Sequence, residues 1–259
     1  MSENKKLIYT SIVGSCDDLL QPRAVREDFD YICFVSDKIT GDQRNGVWQL
    51  RQIPYECDDT RKLSRYPKLL PHKVLPDYDY SLWIDGNVSI RDEKLYEIIN
   101  DKIKDGITYS GLNHWGRDCA YEEAVGCVNT GKETLSNALI VIKFLKSKHF
   151  PKHYGLYENN VIFRKHNEKN IVEFDELWWK TYCEIGQRDQ LCHPYCYKEI
   201  GLRFNYLLPK SFCARNHPYF IYKIHLNKYQ PKGMEKLWYD IKRKSKVLIV
   251  KSYLKSQGF

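Results

Sequence analysis

Tyr80-Ser81-Leu82-Trp83-Ile84-Asp85-Gly86-Asn87-Val88 is the stretch on which the fold of this chain turns. Tyr80 to Ile84 is a short uncharged run, too brief for a helix, that stops at Asp85-Gly86-Asn87. It reads as a buried central strand delivering polar groups at its carboxyl end. Upstream, Lys6 to Val13 reads as a first strand ending at Gly14, Tyr31 to Ser36 as a second ending at Asp37, and Trp48 to Ile53 as a third. Between these and the central run, Asp59 to Leu75 has helical spacing, with Pro67 and Pro71 expected to kink or break it. Downstream, Lys94 to Lys104 and Lys132 to Lys148 read as helices, Ile107 to Ser110 and Val161 to Arg164 as strands. Helices follow around Glu168 to Glu184 and Asp189 to Ile200. Strands alternating with helices predict an α/β sheet.

The 259 residues suffice for one large domain, and 42% hydrophobic with 14% aromatic content excludes a disordered body. Nine cysteines without a repeating framework, and no charged-then-apolar leader before Lys6, fit a reducing cytosol. Cys192 and Cys196 bracket His193, but no second pair with structural-zinc spacing follows, so buried idle thiols are expected. No apolar run is long enough to span a bilayer. The net charge of +8 looks like a nucleic-acid signal until it is located: Lys228 to Phe259 carries nine Lys or Arg against only Glu235 and Asp240. The body is close to neutral and no nucleic-acid motif is present, so a nucleic-acid partner is not expected. The division expected is a body over 1–227 and a basic amphipathic tail over 228–259. In the tail, Leu237, Trp238, Ile241, Val247, Leu248, Ile249, Tyr253 and Leu254 interleave with the basic residues. That pattern suits an interfacial helix on an anionic membrane and equally a helix packed on the body.

In an open α/β sheet the ligand crevice lies beyond the carboxyl ends of the strands. Thr10 and Ser11 near Gly14, Asp37, and Asp85 with Asn87 converge there. One acidic residue closing a strand is commonly a turn residue or helix cap; three such strand ends make a site. Breaking the glycosidic bond of a nucleoside-diphosphate sugar leaves negative charge on the diphosphate. A divalent ion on side-chain oxygens, with Lys or Arg, neutralises it. Gly86, between Asp85 and Asn87, is expected to let a large ligand approach the backbone.

Tyr66-Pro67-Lys68-Leu69 followed by Tyr80 to Val88 resembles the Tyr-x-Arg/Lys-Leu helix and Asp-x-Asp strand of glycosyltransferase type A enzymes, particularly glycosyltransferase family 8. Arg188-Asp189-Gln190-Leu191 and Arg203-Phe204-Asn205 are similar to that family's Asp-Gln helix and Arg-Phe-Asn strand, and Ile224-His225-Leu226 with Lys228 and Lys232 to its late His and Lys. A closer resemblance is to domain-of-unknown-function family 616, with plant mucilage- and xylan-related and bacterial polysaccharide-locus members. It rests on Tyr9-Thr10 with Gly14, Pro71-His72-Lys73, Trp83 to Asn87, and His114 with Arg117-Asp118-Cys119-Ala120-Tyr121-Glu122-Glu123. These motifs cover roughly residues 7 to 232.

The resemblance implies a single-domain glycosyltransferase type A fold, a Rossmann-like mixed sheet flanked by helices, with the basic helical tail appended. It implies nucleobase or ribose contacts from Thr10 and Asp37, with Ser11 beside them, and phosphate contacts from Lys68 and Lys228 or Lys232. Mn²⁺ or Mg²⁺ would sit on Asp85, Asn87 and His225, where Asn87 departs from the family's second Asp. His217 rivals His225, although a His beside Pro is more often structural. Glu158, Asn159 and Asn160, expected to precede the strand Val161 to Arg164, take donor-sugar and acceptor contacts. Asp189 and Gln190 lie beneath the reacting sugar. A carboxylate base, if inversion needs one, would come from Glu158, Asp189, Glu122 or Glu123, the last two also suiting a helix's first turn. His114, Arg117 and Asp118 are the expected acceptor loop. The expected activity is transfer from a nucleotide-sugar donor, a UDP-sugar, to a glycan or lipid-linked acceptor in surface polysaccharide or lipopolysaccharide synthesis, in the cytoplasm at the inner membrane face. The alternatives are a ceramidase-like lipid amide hydrolase and a non-catalytic nucleotide or sugar binder.

Overall fold

The structure is a computed structural model that describes residues 4–14, 18–186, 188–203, 205–224, 231–256 and 258. The described residues form nine strands: β1 (Lys6–Ile12), β2 (Asp30–Val35), β3 (Gln43–Asn45), β4 (Trp48–Gln52), β5 (Tyr80–Ile84), β6 (Val88–Ile90), β7 (Tyr109–Asn113), β8 (Tyr157–Arg164) and β9 (Phe220–Tyr222). Seven of them form one mixed sheet in the order β3-β4-β2-β1-β5-β8-β7, and β6 with β9 make a separate two-stranded ribbon. β4, β2, β1 and β5 run parallel; β3 at one edge and β8 beside β5 are antiparallel to their neighbours.

The central strands read as unbroken apolar runs because both of their faces are covered. Alternate residues go to opposite sides: Leu7, Tyr9, Ile32, Phe34 and Trp83 join one core, while Ile8, Tyr31, Cys33, Leu82 and Ile84 join the other. The first core is roofed by α1 (Thr60–Leu69), α4 (Ala120–Asn129), α5 (Leu135–Ser147), α6 (Lys169–Ile185) and α7 (Asp189–Glu199), the second by α3 (Lys94–Lys104) and the β6–β9 ribbon. The two-residue period carries Asp85 to the same face as Trp83, the face on which α1 packs.

The proline-bearing helix breaks as expected. Asp59 caps α1 by accepting from the N–H groups of Arg61 and Lys62, Pro67 is accommodated one turn from its end, and Pro71 opens a short α2 (Pro71–Val74). Other boundaries move. The helix expected from Lys132 starts at Leu135, because the Thr134 hydroxyl accepts from Asn137 N at 3.1 Å and caps it there. The strand expected at Val161 begins at Tyr157 and is buried throughout, so Glu158, Asn159 and Asn160 lie inside β8 rather than before it. The short strands β3, β6 and β9 and the helix α4 were not anticipated as elements.

The tail forms α8 (Gly233–Ser256), which packs on α4 and α5 through the buried Val250 and Leu254. Its other side keeps Met234, Leu237, Trp238, Ile241, Leu248 and Ile249 exposed. Their spacings of one, three, four and seven put them on one stripe. No described helix is long and apolar enough to cross a membrane.

Candidate active site

Three segments distant in sequence meet beside the end of β5. Trp83 Nε1 donates to Asp85 Oδ1 at 2.8 Å, which fixes the carboxylate against the strand that carries it. From the last turn of α1, Lys68 drives its ammonium between two carboxylates, 3.2 Å from Asp85 Oδ1 and 2.8 Å from Asp189 Oδ2. Arg65, one turn earlier, places Nε 3.5 Å from Asp189 Oδ1. The Lys68 side chain is only 2% exposed, so its charge is dehydrated and depends on those two partners. Burial alone would raise the carboxyl pKa of both acids. Lys68 and Arg65 outweigh it, holding Asp85 below the usual carboxylate range and Asp189, which also feels Arg188, far below.

Beside Arg65, Lys68 and Asp189 opens a cavity of about 130 Å³, which Asp85 and Asn87 do not line. Its walls bring together many of the residues singled out in the sequence: Lys68, His114, Arg117, Glu158, Asn159, Asn160, Asp189 and Gln190. Gln190 Nε2 is spent on Tyr157 O at 2.7 Å, so it fastens α7 to β8. Glu158 pairs with Arg215 and accepts from Asn160 Nδ2 at 3.2 Å. Asn159 is 5% exposed, and neither polar atom of its side chain has a partner. Leaving such a group unmet by any of the described residues costs about 1–3 kcal/mol.

The opposite wall comes from the His114 loop and α4. His114 Nδ1 accepts from the backbone N–H groups of Arg117 at 2.9 Å and Gly116 at 3.3 Å, which leaves the ring proton on Nε2, 3.5 Å from Glu123 Oε2. Burial lowers the His114 pKa against the pull of Glu123. Arg117 Nη1 reaches the same Glu123 oxygen at 2.6 Å. Gly126 makes room for it: a Cβ there would stand 2.6 Å from the guanidinium carbon.

Glu122 and Glu123 follow one another on a helix and so point about 100° apart. Glu123 takes the cavity; Glu122, expected as a base, is exposed and faces away. Asp118 also leaves the expected acceptor loop, its carboxylate bound to His153 Nδ1 at 2.7 Å on the surface. Thr10 and Ser11 are buried or half-buried with unpartnered hydroxyls, and Asp37 is exposed; none of the three lines the cavity. Gly86 makes room for protein instead of ligand, since a Cβ there would lie 2.5 Å from Ile12 Cδ1. Asn87 is buried, and its Nδ2 donates to Lys223 O at 2.7 Å while its own carbonyl accepts from Lys223 N, pinning the chain as it leaves β9. His225 and Lys228 lie outside the described residues; Lys232 is exposed just before α8. His217 sits edge-on to Phe212 and Tyr219, with ring centroids 4.7 and 4.2 Å away. His193 is buried, its Nε2 2.8 Å from Tyr109 Oη.

The cations Arg65, Lys132, Arg188 and Arg215, together with Glu123, complete the walls. Arg65 was legible as the residue one turn before Lys68 on the same helix, and Arg188 stood in the quoted Asp-Gln motif. Arg215 carried no local signal.

A mixed α/β sheet with a cation-rich cavity beside the end of its central parallel strand puts the candidate site where open α/β sheets bind their ligands. The chain belongs to the TOD1/MUCI70 glycosyltransferase-like domain family, whose model matches residues 1–217. It is 21% identical over 245 residues to the probable hexosyltransferase MUCI70 of Arabidopsis thaliana, an alignment that takes in 85% of this chain and 42% of the plant protein. The chain thus spans less than half the length of that relative. Among solved structures it is similar to the bifunctional glycosyltransferase WbbM in its apo form, at 10% identity and TM-score 0.40 over 81% of this chain and 39% of that one. It is also similar to core-mannan synthase A (CmsA/Ktr4) of Aspergillus fumigatus in its Mn/GDP form, at 12% identity and TM-score 0.38 over 75% of this chain and 69% of that one.

Proposed function

We propose that this chain transfers a sugar from a nucleoside-diphosphate donor, with uridine as the expected base, to a hydroxyl of a glycan or lipid-linked acceptor of a surface polysaccharide. The observation that carries the reading is the dehydrated Lys68 ammonium between Asp85 and Asp189 on the floor of a cavity whose wall holds the unpartnered Asn159. Lys68 and the arginines around it are cations already in place where a departing diphosphate gains charge, so little reorganisation is needed as the bond breaks. Asp189, held far below the usual carboxylate range, serves as a charge anchor for Lys68 and Arg65 rather than as a proton acceptor. The acceptor's proton then goes to Glu123 or Glu158, the other two carboxylates on the cavity wall.

A divalent ion fits Asp85. Both hydrogen-bonding partners of that carboxylate take Oδ1, which leaves Oδ2 for Mn²⁺ or Mg²⁺. Asn87, whose Nδ2 is committed to Lys223, has Oδ1 to offer, and His225 is the further ligand the family resemblance implies. The ion would neutralise diphosphate charge alongside Lys68. The exposed apolar stripe of α8, flanked by lysines, supports a peripheral contact with an anionic membrane at its cytoplasmic face.

A thermal-shift series with UDP, GDP and CDP, each with and without Mn²⁺, tests the reading. One nucleotide should stabilise the protein in a metal-dependent way, and the corresponding nucleotide-sugar should yield that free nucleotide once acceptor is added. Indifference to all three sinks the proposal; stabilisation without turnover reduces the chain to a binder.

A further inference from the structure

A second cavity, of about 290 Å³, lies between α8 and the turn that joins α4 to α5. Five cations from three separate parts of the chain line it: Arg61 of α1, Lys132 of the turn, and Lys242, Arg243 and Lys246 of α8. Glu133 also lines it: its Oε1 receives Thr134 N at 2.8 Å and Asn137 Nδ2 at 3.1 Å, and its Oε2 is buried without a hydrogen bond among the described residues, offsetting part of the cationic charge. Asp240, on α8 itself, offsets part of the Arg243 charge at 3.0 Å. Arg243 Nε is nevertheless shut off from solvent with no hydrogen-bond partner.

The cavity is built by the fold and does not belong to the tail alone. Gly131 has a left-handed φ of +67°, and the Tyr239 hydroxyl lies 3.0 Å from where its Cβ would be, so α8 seats on this turn. Lys and Arg donors converging from several sides, Lys242, Arg243 and Lys246 of α8 among them, suit a phosphate group. Lys132 lines both this cavity and the candidate active site, so the two share a wall.

We infer that the recess between α8 and the α4–α5 turn is an anion subsite, separate from the donor's diphosphate position, that takes a phosphate or diphosphate group. Its place beside the cavity, on the inner flank of the helix with the exposed apolar stripe, fits an acceptor whose phosphate rests in the recess while its hydroxyl reaches the active site. Only the identity of the anion's carrier rests on the transferase reading.

Binding of inorganic pyrophosphate to the full chain, by calorimetry, tests the subsite. Two double variants remove equal charge from the same helix: Lys242→Ala/Lys246→Ala inside the recess, and Lys244→Ala/Lys251→Ala outside it. The first should weaken pyrophosphate binding about tenfold or more and the second by less than about twofold, both with unchanged unfolding midpoints. Equal losses in the two variants, or no saturable binding, overturn the inference. The metal-dependent nucleotide shift should persist in both variants, so its failure in the unmodified protein would count against the transferase reading alone. Sedimentation with phosphatidylglycerol vesicles separates the sources of the anion. Competition by pyrophosphate assigns the recess to a lipid headgroup, and its absence assigns it to a phosphorylated acceptor in solution.

Discussion

Asp189 and Asp175 are both buried aspartates on adjacent helices, and their surroundings push them in opposite directions. Asp189 is 4% exposed and meets Lys68 at 2.8 Å and Arg65 at 3.5 Å. Asp175 of α6 is fully buried in the core that α6 shares with α1 and α7, with one cation, Arg164, at 3.6 Å and no hydrogen bond to either oxygen among the described residues. Burial pushes the Asp175 carboxyl up to about 8 because Arg164 offsets too little of the desolvation, whereas the two close cations hold Asp189 ionised. Arg164 is itself divided: it donates to Lys68 O at 2.6 Å and stands 5.7 Å from the ring centroids of both Tyr109 and Trp178. The difference teaches where the fold concentrates charge. Surplus cations face the cavity, and the pair behind it braces the backbone of Lys68.

Removing Lys68 gives the largest expected effect. Lys68→Met leaves Asp85 and Asp189 facing each other without their shared cation, and breaking a buried pair in this way costs about 3–5 kcal/mol in chemical denaturation. Adding Asp189→Asn should recover part of the loss. If the single and double variants are equally stable, the two acids are not held by Lys68 and the contrast with Asp175 collapses. Asp175→Asn acts instead on the pH dependence of stability. The folded pKa of Asp175 is raised, so its contribution is full below the unfolded value near 4 and is lost as pH rises toward 8, by up to about 1.4 kcal/mol per pH unit. Asp189 has the opposite sign, contributing above pH 4 and losing its contribution in acid. Urea midpoints between pH 5 and 8 should therefore decline less steeply in Asp175→Asn than in the unmodified protein; parallel curves would show that Asp175 is ionised beside Arg164.

The sheet was readable because its signal is local. Tyr80 to Ile84 is apolar on both faces and ends at an acid, and the period of two then fixes which face Asp85 shares with Trp83. Lys68 came instead from the resemblance carried by Tyr66-Pro67-Lys68-Leu69, on the helix that Asp59 caps. What could not be read was side-chain direction where neighbours in sequence diverge. Glu122 and Glu123 are equivalent as letters, and only the packing of α4 sends one to Arg117 and the other to solvent. The polar residues Glu158 to Asn160 looked like a loop, since polar composition argues against a buried strand. They lie in β8 because a cavity opens on their side of the sheet. Arg215 reaches Glu158 from far along the chain, a pairing that no spacing encodes.

The smallest stability effect is expected at Asn159, and it sharpens the comparison from the other side. The ion pairs of the floor hold the folded state together before any ligand arrives, but the Asn159 amide makes no hydrogen bond within the protein. Replacing it with Ala removes a buried polar group whose desolvation nothing offsets, so stability should change by less than about 1 kcal/mol and can rise. Catalysis should respond differently. If the amide receives sugar hydroxyls, Asn159→Ala loses two hydrogen bonds made only to substrate, and kcat/KM falls by about 10²-fold while nucleotide binding alone is unchanged. A variant that unfolds early would show that Asn159 has a structural partner. A variant that keeps full activity would move the sugar to another wall of the cavity, toward Glu123 and Arg117, and leave the unpartnered amide without a role in transfer.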